Sequence, residues 1–167
     1  MPRVDRRTLV VAAFALVLLG GAAVWALNSD SATERQESVT ERGEDVMGFD
    51  LDATVHIFTP TDTGGIEEVI ARDPRDQNEI ADIRTHLEGE VERWSRGDFS
   101  SPADIHGEDM PGLRELEAAG DALTMDHTTL PDGARVTFFS NDSDIVDALH
   151  DWFEAQLSDH GDDAEHG

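Results

Sequence analysis

The chain has no cysteine. Disulfides, thiolate metal sites, cysteine nucleophiles and a lipoprotein lipobox are all excluded by that one absence. Lysine is missing as well: every one of the twelve cations is arginine, set against 37 acids, for a net charge of −25 over 167 residues. No basic patch is present. A surface this anionic repels nucleic acid and anionic lipid headgroups, so no nucleic-acid partner is expected. The sequence also lacks a Gly-rich phosphate loop, a G-x-S-x-G elbow, and any His-x-His or His-Glu-x-x-His spacing. Among so many carboxylates no single Asp or Glu pair stands out. No catalytic set and no organic cofactor site is therefore assigned. Without disulfides, an exported domain must be held by its core or by a bound metal.

The acids are spread along the chain and not gathered in one block. The residues after Leu27 hold 36 of the 37 acids and nine of the twelve arginines, a net of −27. An acidic, lysine-free surface of this kind is that of a halophilic protein. At about 1 M salt the Debye length falls to about 3 Å and the self-repulsion is screened. The alternative is an acidic face for a protein partner, whose identity the sequence does not disclose.

What is present begins with one hydrophobic run, Thr8 to Leu27, free of charge. About 20 apolar residues in a helix span the hydrocarbon core of a bilayer. Arg3, Arg6 and Arg7 precede the run, and the next arginine is Arg35. The positive-inside rule then keeps residues 1–7 in the cytoplasm and places everything after Asn28 outside, with Trp25 at the interface. Gly21-Ala22-Ala23 would suit a signal peptidase. The apolar run continues past it, which favours an uncleaved membrane anchor over a secreted product. Asp5-Arg6-Arg7-Thr8-Leu9-Val10 also fits a loose twin-arginine export pattern, a route that carries folded and metal-loaded proteins.

Residues 28–46 read as an acidic linker, 47–160 as an extracytoplasmic domain and 161–167 as an acidic tail. Val55 and Ile57 alternate with Thr54, His56 and Phe58, which predicts a strand. Thr61-Asp62-Thr63-Gly64-Gly65 is turn chemistry, and Ile66 to Ala71 returns as its hairpin partner. Asp76 with Glu79 forms a capping box for an amphipathic helix bearing Ile80, Ile83, Leu87, Val91 and Trp94, ended by Gly97. Phe99 to Met110 is expected to be loop and Pro111 to Ala119 a short helix. Ala122 to Thr129 and Arg135 to Phe139 form a second hairpin around Pro131-Asp132-Gly133. Asn141 or Ser143 is expected to cap a last helix with Ile145, Leu149, Trp152, Phe153 and Leu157 on its apolar face. The class is α+β: two β-hairpins in a four-stranded antiparallel sheet with helices on one face, behind an N-terminal transmembrane helix. A faint duplication runs through this order, since each hairpin starts with a histidine strand, His56 or His127, and precedes a helix carrying His86 or His150.

Those histidines are the chemical feature of the chain. Seven are present. His56 lies on a strand, His86 in mid-helix, His106 after a Pro-containing loop, His150 beside the apolar face of the last helix and His160 near its end. Imidazoles from separate elements can converge where sheet and helices meet. Neutral imidazole is the commonest metal ligand and suits zinc, copper, iron and nickel. His166 belongs to the tail and has no assigned role. Met47 and Met110 flank turns as soft copper ligands or as core fillers.

From Met47 onward, several segments are shared with a known pattern: Met47-Gly48-Phe49-Asp50, Thr54 with His56 and Phe58, Ile83-Arg84 with His86-Leu87, Gly97-Asp98-Phe99, Ile105-His106, Met110-Pro111-Gly112, Ala148-Leu149-His150 and Asp159-His160. In this order they resemble an uncharacterised family of small bacterial proteins with a Met-Gly-Phe-Asp start. The resemblance implies that His56, His86, His106, His150 and His160 form a recurrent set and that His127 does not belong to it. The family's doubled histidine is Val55-His56 here. Some members carry the label aspartate carbamoyltransferase, but this chain has no Ser-Thr-Arg-Thr phosphate loop.

The functional expectation is a membrane-anchored extracytoplasmic domain that binds a metal ion, zinc or copper, through His56, His86, His106 and His150, with His160 and Met47 peripheral. The alternatives are a metal-free interaction module for a membrane partner, and a small metal-dependent enzyme with an open coordination position.

Overall fold

Two hairpins organise the domain. In the computed structural model, which describes residues 32–167, β1 (Thr54–Thr61) and β2 (Gly64–Ala71) form the first, β3 (Thr124–Leu130) and β4 (Gly133–Phe139) the second. The second strands of the two hairpins pair with each other, Glu67 opposite Val136 and Glu68 opposite Arg135. The four antiparallel strands of the sequence reading are all present. The sheet nevertheless has five strands and is mixed, in the order β3-β4-β2-β1-β5. The tail contributes β5 (Ala164–His166), which runs parallel to β1, with Ala164 opposite His56 and His166 opposite Phe58. A three-residue acidic strand carries no apolar alternation. It forms because the β1 edge offers unpaired backbone groups, and the Gly167 amide donates to the Phe58 carbonyl at 3.1 Å.

The expected transmembrane segment at 8–27 and its arginine flank lie outside the described residues. Among the described residues no helix is long and apolar enough to cross a membrane. The described part of the expected linker is helical, α1 (residues 32–46). The compact unit begins at Gln36, earlier than the expected start at Met47. Val39 is buried, and Arg42 ties this helix to the rest by donating to the Ile105 carbonyl at 2.6 Å.

α2 (Gln77–Trp94) starts at Asp76, whose carboxylate accepts from the Asn78 and Glu79 amides. Only half of the expected capping box closes: Glu79 Oε1 accepts from the Asp50 amide at 2.9 Å instead, fastening the Met-Gly-Phe-Asp segment to the helix start. Phe99 to Met110 is not all loop, because α3 (Ser100–His106) lies within it. Pro102 stands in the first turn, where its missing N–H costs nothing. α4 (Leu113–Ala118) follows. α5 (Ser143–His160) is capped by Asp142, which accepts from the Asp144 amide at 3.0 Å, and not by either neighbour the sequence singled out.

α2 and α5 cover one face of the sheet, and they cross over. α2 packs mainly on β4 and also reaches β3 and β2, whereas α5 packs on β2, β1 and β5. Each long helix therefore sits on the other helix's hairpin and donates into its turn. Arg84 of α2 donates to the carbonyls of Leu130, Pro131 and Gly133. His150 of α5 engages those of Thr61 and Gly64. Gly65 lets α5 approach: a Cβ there would stand 2.4 Å from a ring carbon of Phe153. The space between layers is filled by Trp94, Phe99, Phe138, Trp152 and Phe153, with ring centroids 5.6 to 6.3 Å apart in stacked and edge contacts.

Candidate functional site

The covered face of the sheet is unusual at its β1–β2 side. Alternation sends Thr54, His56 and Phe58 inward from β1 and Glu67, Val69 and Ala71 inward from β2. The aliphatic Val55, Ile57, Ile66 and Ile70 face the other way and are only half-buried. On α2, Glu90 occupies the stripe of Ile83, Leu87 and Trp94, three residues from Leu87 and four from Trp94, and is 2% exposed. On α5, Gln156 and Asp159 do the same and are buried. Core positions of four elements are thus held by polar groups, which burial penalises unless something satisfies them.

These groups meet at a cavity of about 30 Å³. His56, Glu67, His86, Glu90, His106 and Gln156 line it, with Met47, Phe49, Trp94 and Trp152 among the apolar walls. Phe49 stands between two of the imidazoles, 6.0 Å from His56 and 5.4 Å edge-on to His86. Glu90 Oε1 is ion-paired to Arg93 and lies 3.6 Å from His86 Nε2. Five buried polar atoms of the lining have no partner: His56 Nδ1, Glu67 Oε2, Glu90 Oε2, Trp94 Nε1 and Trp152 Nε1. The volume is enough for an ion or one to two waters.

Behind the cavity lies a stack of three histidines. His160 packs face to face on His56, with centroids 4.9 Å apart and planes at 8°, and meets His106 edge-on at 5.0 Å. His106 Nδ1 is 2.9 Å from Asp159 Oδ2, and both side chains are buried. A buried carboxylate beside Nδ1 fixes the tautomer and orientation of an imidazole.

Burial sets the charge states. It pushes His56 down to about 4, helped by the neighbouring His106 and His86. Burial also holds His160 well below its ordinary value, with His56 and His106 adding to the effect and Asp159 opposing it. His86 is lowered by burial too, against the pull of Glu90. These imidazoles are neutral at pH 7, the form that binds metal. Glu67 moves the other way. Burial, and then repulsion from Glu90, raise its carboxyl to about 8, so it keeps its proton at neutral pH.

Of the five expected ligands, His56, His86 and His106 reach the cavity, and His160 lies against two of them. His150 does not. Its Nε2 lies 2.8 Å from the Gly64 carbonyl and 3.2 Å from that of Thr61, so this nitrogen carries a proton and donates into the β1–β2 turn. Helix periodicity placed His150 correctly beside the apolar face, but its position along α5 sets it at the turn end of the hairpin. Met47 lines the cavity, while Met110 is a buried core residue. His127 and His166 lie elsewhere, on β3 and β5. Among the described residues, no three His, Asp or Glu side chains already converge on one point at metal-bonding distance.

Glu67, Glu90 and Gln156 were not expected. The abundance of acids hid the two carboxylates. The available signal was phase: Glu67 alternates in step with Val69 and Ala71, and Glu90 falls where the α2 stripe calls for an apolar residue. No protein-family model matches the chain, and no similar curated protein or solved structure is found.

Proposed function

We propose that this chain is a membrane-anchored extracytoplasmic protein whose folded domain binds one divalent metal ion, zinc or copper, in the cavity lined by His56, Glu67, His86 and Glu90. The reading is supported above all by the buried acceptors His56 Nδ1, Glu67 Oε2 and Glu90 Oε2, which line one small cavity without a partner. A divalent cation is the occupant that satisfies all three at once, displacing the proton from Glu67. His86 Nε2, 3.6 Å from Glu90, is the fourth group at hand. Two imidazoles and two carboxylates without thiolate suit zinc and, through the nitrogens, copper. Coordination draws them to bonding distance through the rotatable side chains of the two glutamates. Asp159 holds the ring of His106, which lines the same cavity. The anchor and the outside location rest on the charge-free run at 8–27 and its arginine flank.

Zinc titration of the full chain by calorimetry tests this. One high-affinity site is expected, with magnesium giving only the diffuse background of an acidic surface, because it prefers oxygen ligands. Glu67→Gln and His56→Gln should each weaken zinc by more than about tenfold, since even supporting groups outside the coordination shell cost that much. Equal binding of magnesium, or unchanged zinc affinity in both variants, overturns the reading.

A second reading has its own observation. The outer face of the sheet carries Phe139, 43% exposed, and half-buried Ile57, Ile66 and Ile70. That face supports an interaction module for a membrane-protein partner, and it moves to first place if the metal test fails.

A further inference from the structure

Two of the five unpartnered atoms at the cavity are of the opposite kind from the rest. Trp94 Nε1 and Trp152 Nε1 are buried without an acceptor, and an indole nitrogen donates only. A metal ion leaves both unsatisfied. Neither ring is free to turn away. Trp94 stacks on Phe99 at 5.6 Å and 8°, Trp152 meets Trp94 edge-on at 5.7 Å and 86°, and Trp152 packs on Phe138 and Phe153 as well. Trp94 comes from the end of α2 and Trp152 from the middle of α5, so two helices deliver donors to one lining.

Resting on the metal reading above, we propose that the cavity takes its ion together with one small oxygen ligand, a carboxylate-type anion of the size of formate, whose oxygen accepts from the indole N–H groups of Trp94 and Trp152. The anion is then a fifth ligand beside the four side chains, an expansion of the shell that zinc accepts in catalytic sites. A cavity of about 30 Å³ excludes sugars and nucleotides, and an anion bonded to the ion takes the place of the one to two waters the space would otherwise hold. Order of binding follows from charge. The Glu90 carboxylate repels an anion from the metal-free cavity, where Glu67 is still protonated, and the cation reverses that sign. Metal and anion therefore bind with positive coupling, each tightening the other by the same factor.

Cobalt(II) is the metal for the test because its visible bands report its ligands, and formate is the probe. In the cobalt-loaded full chain, formate should shift the bands saturably. Without metal it should leave the protein unchanged. Trp94→Phe and Trp152→Phe should each weaken formate by about tenfold, the order of one lost hydrogen bond to a charged group, while cobalt affinity stays within about twofold. If cobalt itself fails to bind, or binds equally well to Glu67→Gln, the metal reading falls. If cobalt binds but formate does not shift the bands, or both Trp variants hold formate as the parent does, the metal reading stands and the anion proposal is overturned. Should the Trp variants fail to fold, the indole N–H resonances of the zinc-loaded parent decide. Formate should move those of Trp94 and Trp152 and not that of Trp25, and unmoved Trp94 and Trp152 signals overturn the proposal.

Discussion

One core holds two regions that are equally buried and differently satisfied. Around Trp94, Phe99, Phe138, Trp152 and Phe153, rings stack and meet edge-on, and the hydrophobic effect acts without a polar penalty. A short distance away, His56, Glu67, Glu90 and Gln156 are buried to the same degree around a cavity, with His86 half-buried beside them, and several of their polar atoms have no partner. The first region holds the fold together. The second costs stability, and a fold has no need of it. Burial alone would rank them alike, and the difference lies in whether each buried atom has found what it requires. Unsatisfied groups persist where binding, and not folding, is what they serve.

The sharpest way to separate the regions is to damage the first. Phe138→Ala removes a ring that touches Trp94, Trp152 and Phe153 and does not line the cavity. Large-to-small changes of this kind cost about 3–5 kcal/mol. Denaturant unfolding should show that loss, with zinc affinity of the surviving folded fraction unchanged. A loss below about 1 kcal/mol would mean that the aromatic cluster is not the support described here.

The polar region should announce itself through pH. Its imidazoles have folded values below the unfolded 6.5, with His56 at about 4 and His86 and His160 also lowered. Below pH 6.5 the unfolded chain takes up protons that the folded chain refuses, so stability is lost as pH falls toward 4. Glu67 does the reverse. Its folded value of about 8 exceeds the unfolded 4.5, so the folded chain holds a proton that the unfolded chain has released. Its contribution is lost as pH rises from 4.5 to 8 and is constant above that. At 6.5 and below the three imidazoles outweigh one carboxyl, and once the unfolded imidazoles have lost most of their protons Glu67 outweighs them, so metal-free stability should peak near pH 7. From 6.5 to 8 the Glu67 proton alone costs about 2 kcal/mol, at about 1.4 kcal/mol per pH unit for one proton, and the unfolded imidazoles, still half-protonated at 6.5, return about 1 kcal/mol of it, so the net fall should be under about 1 kcal/mol. In Glu67→Gln that decline should be absent. A decline that persists in the variant assigns the proton to another group.

Much of this arrangement was legible in the sequence. Two hairpins and two long helices follow from alternation in Thr54–Thr61 and from the three- and four-residue spacing of Ile80, Ile83, Leu87 and Trp94. β5 was not legible, because a strand that completes an edge through its backbone needs no side-chain pattern. Of the cavity lining, His56, His86 and His106 were singled out by residue type, since histidine is scarce and chemically distinctive. Glu67 and Glu90 were lost among 37 acids, although each stands at a core phase of its element. In an acidic chain the informative carboxylate is the one whose position calls for an aliphatic residue. His150 shows the converse. Its type and its place beside an apolar face matched the others, and only its position along α5 sends it to a turn.

That last difference gives the finest test of the comparison. His86 and His150 sit at matching places in the sequence pattern, one on each long helix, and the metal proposal gives them opposite duties. His150 Nε2 donates to the Gly64 and Thr61 carbonyls, and this contact serves the fold whatever the metal does. His86 Nε2 lies 3.6 Å from Glu90 at the cavity and makes no comparable contact with the backbone. His150→Gln should lower metal-free stability by about 1 kcal/mol, the usual net worth of one intramolecular hydrogen bond, and leave zinc affinity alone. His86→Gln should change metal-free stability by less than about 0.5 kcal/mol, because it exchanges one neutral polar group for another, and weaken zinc by more than about tenfold. Thermal unfolding in chelator, paired with zinc titration of the same two proteins, reads both effects. If His150→Gln loses zinc, or His86→Gln keeps it while losing stability, the duties have been assigned the wrong way round. Then the division of the core into a supporting region and a binding region has to be redrawn along α5 instead of across the sheet.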